Sequence, residues 1–396
     1  MLCIFDENEL TADTKPEHIL LNALGGRKTT KKAICSKCNN DFGGTIDGDF
    51  ARQAEVIRNL LQLKSGTGNG PPMLRNVQAG AERINIASDG SPVRQNRPFE
   101  IKRDDAGNIV GVNIEASSPE ELQRHIPNLA AMLKLPEDEV RKRIAASKAT
   151  IVSQRPGVVP HELKFGGPEA LRSVTKACLV LIAATLGSEV VRESAFAEAR
   201  DFVVNGGETF VHDRIGFDSR SLPLDADLRD RFGAFFNLIF IRSNAEGRVI
   251  GHFTLLNAAA WQVILAETGG PPNVHLALVS NPEETSLWSD DVGQIGDIAM
   301  GWLETPDRSN AASQARIESI LEHHVDRERP KAIDHILDQV MGRYAGADGK
   351  IPPERVDEFR RELADRVARH ALSIPYEREL TPEEMASLAG LAEKGS

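Results

Sequence analysis

Residues 15–41 read KPEHILLNALGGRKTTKKAICSKCNND, and this stretch decides how the N-terminus folds. Cys35 and Cys38 stand three apart, Asn39 and Asn40 follow at once, and a single Glu17-His18 pair lies upstream of the Gly25-Gly26 doublet. The 396-residue chain has four cysteines, Cys3, Cys35, Cys38 and Cys178, too sparse for a disulfide scaffold. In a reducing compartment a close cysteine pair more often holds metal, which leaves a disulfide as the weaker reading.

A C-x-x-C pair lets both thiolates face one ion from a tight knuckle, yet a structural zinc takes four ligands. Cys3 is the obvious third. Asp6, three residues on, stands where a second C-x-x-C would place its partner, and carboxylate oxygen does ligate zinc. Asp6 also reads as a surface acid, with His or water completing the set.

The net charge of −11 argues against a protein that coats nucleic acid along its whole surface. Charge is unevenly placed. Between Thr14 and Cys38 the six bases Lys15, Arg27, Lys28, Lys31, Lys32 and Lys37 face one acid, Glu17, a balance of +5 that leaves −16 elsewhere. This island reads either as a solvated loop or as a phosphate-binding patch.

With 41% hydrophobic residues the chain is long enough for two or three packed domains. No apolar run approaches the roughly eighteen residues of a membrane span, and MLCIFDENEL is too short and acidic for a signal peptide, so a cytoplasmic location is expected. Phe50, Ala54, Ile57, Leu60 and Leu61 recur at helical spacing and predict a helix over 47–63, ended by GTGNGPP. Residues 73–115 alternate as short strands, and Ser118 with Pro119 and Glu121 opens a helix. PEALRSVTKACLVLIAATLG, from Pro168 to Gly187, is apolar nearly all round, as a core helix carrying Cys178 should be. Strand, turn and strand follow from Ala234, and the last ninety residues read as helices with a capping box at Thr381 and Glu384.

The ordered set C-x-x-D, E-H-I, L-G-G, C-x-x-C-N, G and I-D over residues 3 to about 50 resembles the zinc-knuckle branch of the HNH endonucleases. That resemblance implies a ββα-metal fold in which His18 is the general base, and Glu17 and Asn39 hold a catalytic Mg²⁺ or Mn²⁺. Cys3, Asp6, Cys35 and Cys38 would hold a structural zinc, and Arg27, Lys28, Lys31, Lys32 and Lys37 would face nucleic acid. The chain departs from the pattern where the first pair lacks its second Cys. Lys31 or Lys32 stands near the place of a middle Asn, and Glu17 replaces the Asp of many members. Ligand softness separates the two metals, since thiolates suit zinc while carboxylate and amide oxygens suit a hard cation.

The expected architecture is α+β: a nuclease-like ββα-metal domain over 1–65, a mixed α+β domain of unassigned role over 73–305, and a helical region over 306–396. The expected activity is hydrolysis of DNA phosphodiesters, with RNA as the alternative nucleic-acid partner. Two alternatives stand beside it: a zinc knuckle that binds nucleic acid or protein without cutting, and an effector nuclease in bacterial defence governed by a ligand or partner. No membrane partner is expected, and the C-terminal region is open to a homo-oligomer or a small regulator. Asp334-His335 mimics Glu17-His18 but lies in a helical pattern, His323-His324 read as solvated, and His161, His212, His252 and His275 as single packed or exposed imidazoles.

Overall fold

The computed structural model describes residues 1–94, 99–153, 159–160, 165–307, 309, 311–346 and 348–391. It is α+β, and its contacts divide into two units: Met1–Leu74, Ala87–Gly90 and His161–Val325 in the first, Arg75–Ile86, Ser91–Pro160 and Asp326–Ser396 in the second.

The first unit is built on a six-stranded antiparallel sheet. Its strands run, edge to edge, Trp288–Ser289, His275–Ser280, Asn237–Ser243, Val249–Leu255, Ala259–Ala266 and Ile215–Asp218. The hairpin at 244–248 forms because Asn244 Oδ1 accepts from the amides of Glu246 and Arg248, while Gly247 takes a left-handed φ of 77°. Ile239, Ile241, Phe253 and Val263 bury one face, and Leu238, Phe240, Ile250 and Val279 the other. A sheet covered on both sides explains why FFNLIFI reads as a continuous apolar run instead of an alternating one.

Against the first face lies the central helix, Pro168–Leu186, entered by Pro168 and closed at Gly187, with every residue from Ser173 to Ala183 buried. The N-terminal stretch packs on this helix. β1 (Glu17–His18) pairs antiparallel with β2 (Thr29–Thr30), and α1 (Ser36–Gly44) and α2 (Ile46–Gln53) follow, the order ββα. Residues 47–63, expected as one helix, are split at Ala54, after which Glu55–Leu60 continues and the helix ends three residues short of Leu63. Cys3, Leu24, Phe42 and Phe50 share one core with Val174, Cys178, Phe253 and Trp261. Phe50 makes the join, with its ring 5.8 Å from Phe253 and 6.1 Å from Trp261. Truncating so buried a ring to Ala costs about 3–5 kcal/mol. Residues 1–65 therefore borrow their interior from the helix and sheet of the same unit.

In the second unit, Ser118 caps helix Pro119–Leu133 by accepting from the Glu121 amide. That helix packs with Glu137–Ala145 and Pro382–Leu388 around Ile126, Leu129, Val140, Ile144 and Met385. Thr381 and Glu384 form the expected capping box. A strand not expected in the helical C-terminus, Tyr376–Glu379, pairs with Thr150–Ser153. The helix Ala311–Tyr344 runs through Pro330 and carries Asp334-His335.

Candidate metal and nuclease site

The first ten residues close on themselves through a bridge between Leu2 and Glu9, and the Cys3 amide donates to the Asn8 carbonyl at 2.9 Å. Ile4 donates to the Ala33 carbonyl at 2.9 Å, which lays this loop against the approach to α1. Cys35 is the N-cap of α1, and its Sγ accepts from the Cys38 amide at 3.4 Å. A helix N-terminus favours thiolate character in such a position.

These local rules gather four donors. The ligand atoms of Cys3, Asp6, Cys35 and Cys38 all lie within 4.8 Å of one another, the arrangement of a group that can hold a metal ion such as zinc. Cys3 Sγ is 3.8 Å from Cys38 Sγ, and Asp6 Oδ2 lies 3.4 Å from Cys35 Sγ and 3.3 Å from Cys38 Sγ. Tetrahedral zinc with Zn–S bonds near 2.3 Å separates its sulfurs by about 3.8 Å. The donor set therefore fits a zinc ion, and Asp6 falls on the fourth corner. The hydrogen bond with Cys38 brings the Cys3 thiol down to about 6. Burial works upward on Asp6, but the Asn8 amide and the neighbouring thiols outweigh it and hold the carboxyl at about 2.

Two residues that sequence reasoning missed support this cluster. Asn8 Nδ2 donates to Asp6 Oδ2 at 2.5 Å and to Cys35 Sγ at 3.7 Å. Arg192 Nη1 donates to the carbonyls of Cys3 (2.6 Å) and Asp6 (2.9 Å), pinning the loop from a distance of nearly two hundred residues in sequence. Asn8 was in reach of inspection, two residues past Asp6; nothing in the sequence pointed to Arg192.

The same helix turn reaches the hairpin. Asn39 Nδ2 donates to the Pro16 carbonyl at 3.2 Å, Lys15 Nζ donates to Asn40 Oδ1 at 3.0 Å, and the Lys15 amide donates to Ser36 Oγ at 2.9 Å. Asn39 thus abuts the residue immediately before β1. Gly25, with φ 87°, and Gly26, where a Cβ would meet the Leu20 carbonyl at 1.8 Å, lie in the loop that returns the chain to β2. His18 is half-buried, and burial together with the nearby Lys176 ammonium lowers its pKa, so the imidazole is neutral at pH 7.

Glu17 is buried, and its Oε1 accepts from Lys176 Nζ at 2.5 Å. Lys176 also pairs with Asp47 Oδ2, and Ser173 Oγ donates to Asp47 Oδ1 at 2.6 Å. An unpaired buried ammonium would cost several kcal/mol. Burial works against the ammonium, but the two carboxylates compensate it and raise the Lys176 pKa, and the Phe42 ring lies 5.7 Å from Nζ. Burial pushes the Glu17 carboxyl up, against the pull of Lys176. Glu17 Oε2 and Asn39 Oδ1 accept no hydrogen bond from a described residue. A carboxylate and an amide oxygen are hard donors, the type that Mg²⁺ and Mn²⁺ prefer.

Of the basic island, Arg27, Lys31, Lys32 and Lys37 are exposed, while Lys28 pairs with Asp290 and Lys31 Nζ donates to the Ala12 carbonyl at 2.7 Å. A cleft of about 580 Å³ beside the knuckle mixes Lys37, Arg52 and Arg172 with Asp41, Asp49 and Glu169, too balanced to favour an anion. The other imidazoles stay apart from the site. His252 is sealed against Thr254, His275 is part-buried near Asp297, and His212 is exposed on the short helix Glu208–Arg214. His323 is exposed, as expected, with its ring 4.9 Å from Phe235; His161 lies outside the described residues. Among the described residues no helix is long and apolar enough to cross a membrane.

These features define a mixed α and β protein with a cysteine-rich N-terminus that can hold a metal ion. Residues 3–55 match the family model described as HNH endonuclease, the stretch that holds the ββα order and all four donors of the knuckle. No curated protein and no solved structure matches the chain.

Proposed function

We propose that the chain is a metal-dependent HNH-type endonuclease that hydrolyses DNA phosphodiester bonds. The observation that carries this reading is the stitching of Asn39, one residue past the Cys38 ligand, onto the chain that leads into Glu17 and His18. Cys3, Asp6, Cys35 and Cys38 hold a structural zinc that sets the pitch of α1 against the hairpin. His18, kept neutral by burial and by Lys176, takes the proton of the attacking water. The water oxygen bonds to phosphorus as the bond from phosphorus to the 3′ oxygen breaks, leaving 5′-phosphate and 3′-hydroxyl ends. Glu17 and Asn39 hold the catalytic cation through oxygen. When bound, Mg²⁺ or Mn²⁺ supplies charge stabilisation at the phosphoryl and departing oxygens. Arg27, Lys31, Lys32 and Lys37 are exposed for the phosphate backbone, and Lys28 joins them if it leaves Asp290.

The test is plasmid cleavage with Mg²⁺ or Mn²⁺ by wild type and His18→Ala, alongside zinc content. Loss of cleavage by at least about 100-fold with one zinc retained supports the assignment, since general-base catalysis contributes that much or more. Undiminished cleavage by His18→Ala rejects it. Zinc without any turnover in the wild type favours the non-catalytic knuckle.

A further inference from the structure

Lys176 lies on the central helix, outside the stretch that resembles the HNH endonucleases, yet its ammonium is the nearest cation to Glu17. Its side chain is 2% exposed, against 8% for Glu17 and 9% for Asp47, so the three charges settle one another with little help from water. The helix fixes where Nζ sits, and Asp47, itself held by Ser173, fixes it from the other side. Glu17 therefore has one oxygen committed and one uncommitted.

Divalent cations differ in what they ask of a carboxylate. Ca²⁺ takes six to eight oxygens and readily accepts both oxygens of one carboxylate; Mg²⁺ demands a near-ideal octahedron and takes one. We infer that Lys176 is a specificity-determining positioning residue, which by holding Glu17 Oε1 restricts Glu17 to one-oxygen ligation through Oε2 and so biases the catalytic site toward Mg²⁺ and Mn²⁺ over Ca²⁺. The inference rests on the reading of Glu17 as a ligand of the catalytic cation. Residue type matters at this position, because a neutral side chain would release Oε1 while a carboxylate would repel it.

The test is competition between Ca²⁺ and Mn²⁺ on the zinc-loaded full chain, with free Mn²⁺ read by electron paramagnetic resonance. Lys176→Met should improve the ability of Ca²⁺ to displace Mn²⁺ by about tenfold relative to wild type, the order expected for one added oxygen ligand. Asp47→Asn keeps Lys176 on Glu17 and should leave the ratio unchanged. Where Lys176→Met does not fold, Lys176→Met/Asp47→Asn retains the cluster's charge of one negative and should show the same gain. General loosening of the site would weaken both ions together and leave their ratio where it was. A ratio unchanged in the folded Lys176 variants, with Mn²⁺ binding still lost in Glu17→Gln, overturns this inference alone. Mn²⁺ binding that Glu17→Gln leaves intact, or none in the wild type, overturns the metal role of Glu17 and this inference with it.

Discussion

Two clusters of charged and polarisable donors sit in the first unit, one on the N-terminal loop and α1, the other on β1, α2 and the central helix, and they balance charge in opposite ways. Cys3, Asp6, Cys35 and Cys38 converge with no lysine or arginine side chain bonded to any donor atom among the described residues. Glu17 and Asp47 converge on an ammonium the chain itself supplies. Folding alone completes the second cluster, whereas the first is a donor set that can hold an ion from solution. The difference teaches which of the two should respond to a chelator and which to a mutation of a distant helix.

The largest expected effect is at the sulfur cluster. Structural zinc is worth on the order of 10 kcal/mol of binding free energy in small modules. Cys38→Ser should take bound zinc from one per chain to none and strip hydrogen-exchange protection from residues 1–45. The central helix and sheet should keep theirs, because their core is formed largely by their own side chains. Protection lost across the whole first unit would erase the distinction between the clusters.

Next is Lys176→Met, which leaves two buried carboxylates without their counter-charge and should lower stability by about 3–5 kcal/mol in denaturant titrations. Zinc should remain at one per chain, and adding Asp47→Asn should recover most of the loss. If zinc leaves with Lys176, the two clusters are one cooperative device.

The smallest effects separate the clusters by pH in the zinc-free protein. Asp6 has a folded pKa of about 2 against an ordinary 3.8, so its contribution is present above 3.8 and lost as pH falls toward 2. Lys176 is raised above 10.5, so its contribution is full below 10.5 and lost only as pH rises through the higher folded value. Acid should loosen the residues 1–10 loop first, and alkali the contact of β1 and α2 with the central helix, as resolved by amide exchange at each extreme. Loosening in the reverse order would contradict the charge assignments.

Much of the knuckle was legible because its chemistry is local. Cys35 and Cys38 are three apart on one helix turn, Asn39 follows them directly, and a Gly25-Gly26 doublet marks the return of a hairpin. The helix at Pro168–Leu186 was legible from its apolar surround and its Pro and Gly ends. Harder to read was the continuity of Ala311–Tyr344 through Pro330, and the pairing of Tyr376–Glu379 with Thr150–Ser153, a contact across more than two hundred residues.

By itself the sequence determined where the close thiols, the turn glycines and the helix caps fall, since thiol spacing, turn glycines and capping are properties of a few consecutive residues. Only the tertiary structure decided that Glu17 and Asp47 are neutralised by Lys176, and that Phe50 roots the N-terminal stretch in the sheet. Nothing in the periodicity of a uniformly apolar helix says which buried lysine will meet which carboxylate. That pairing is chosen by where the folded backbone removes water, and water is removed only when distant segments close on one another.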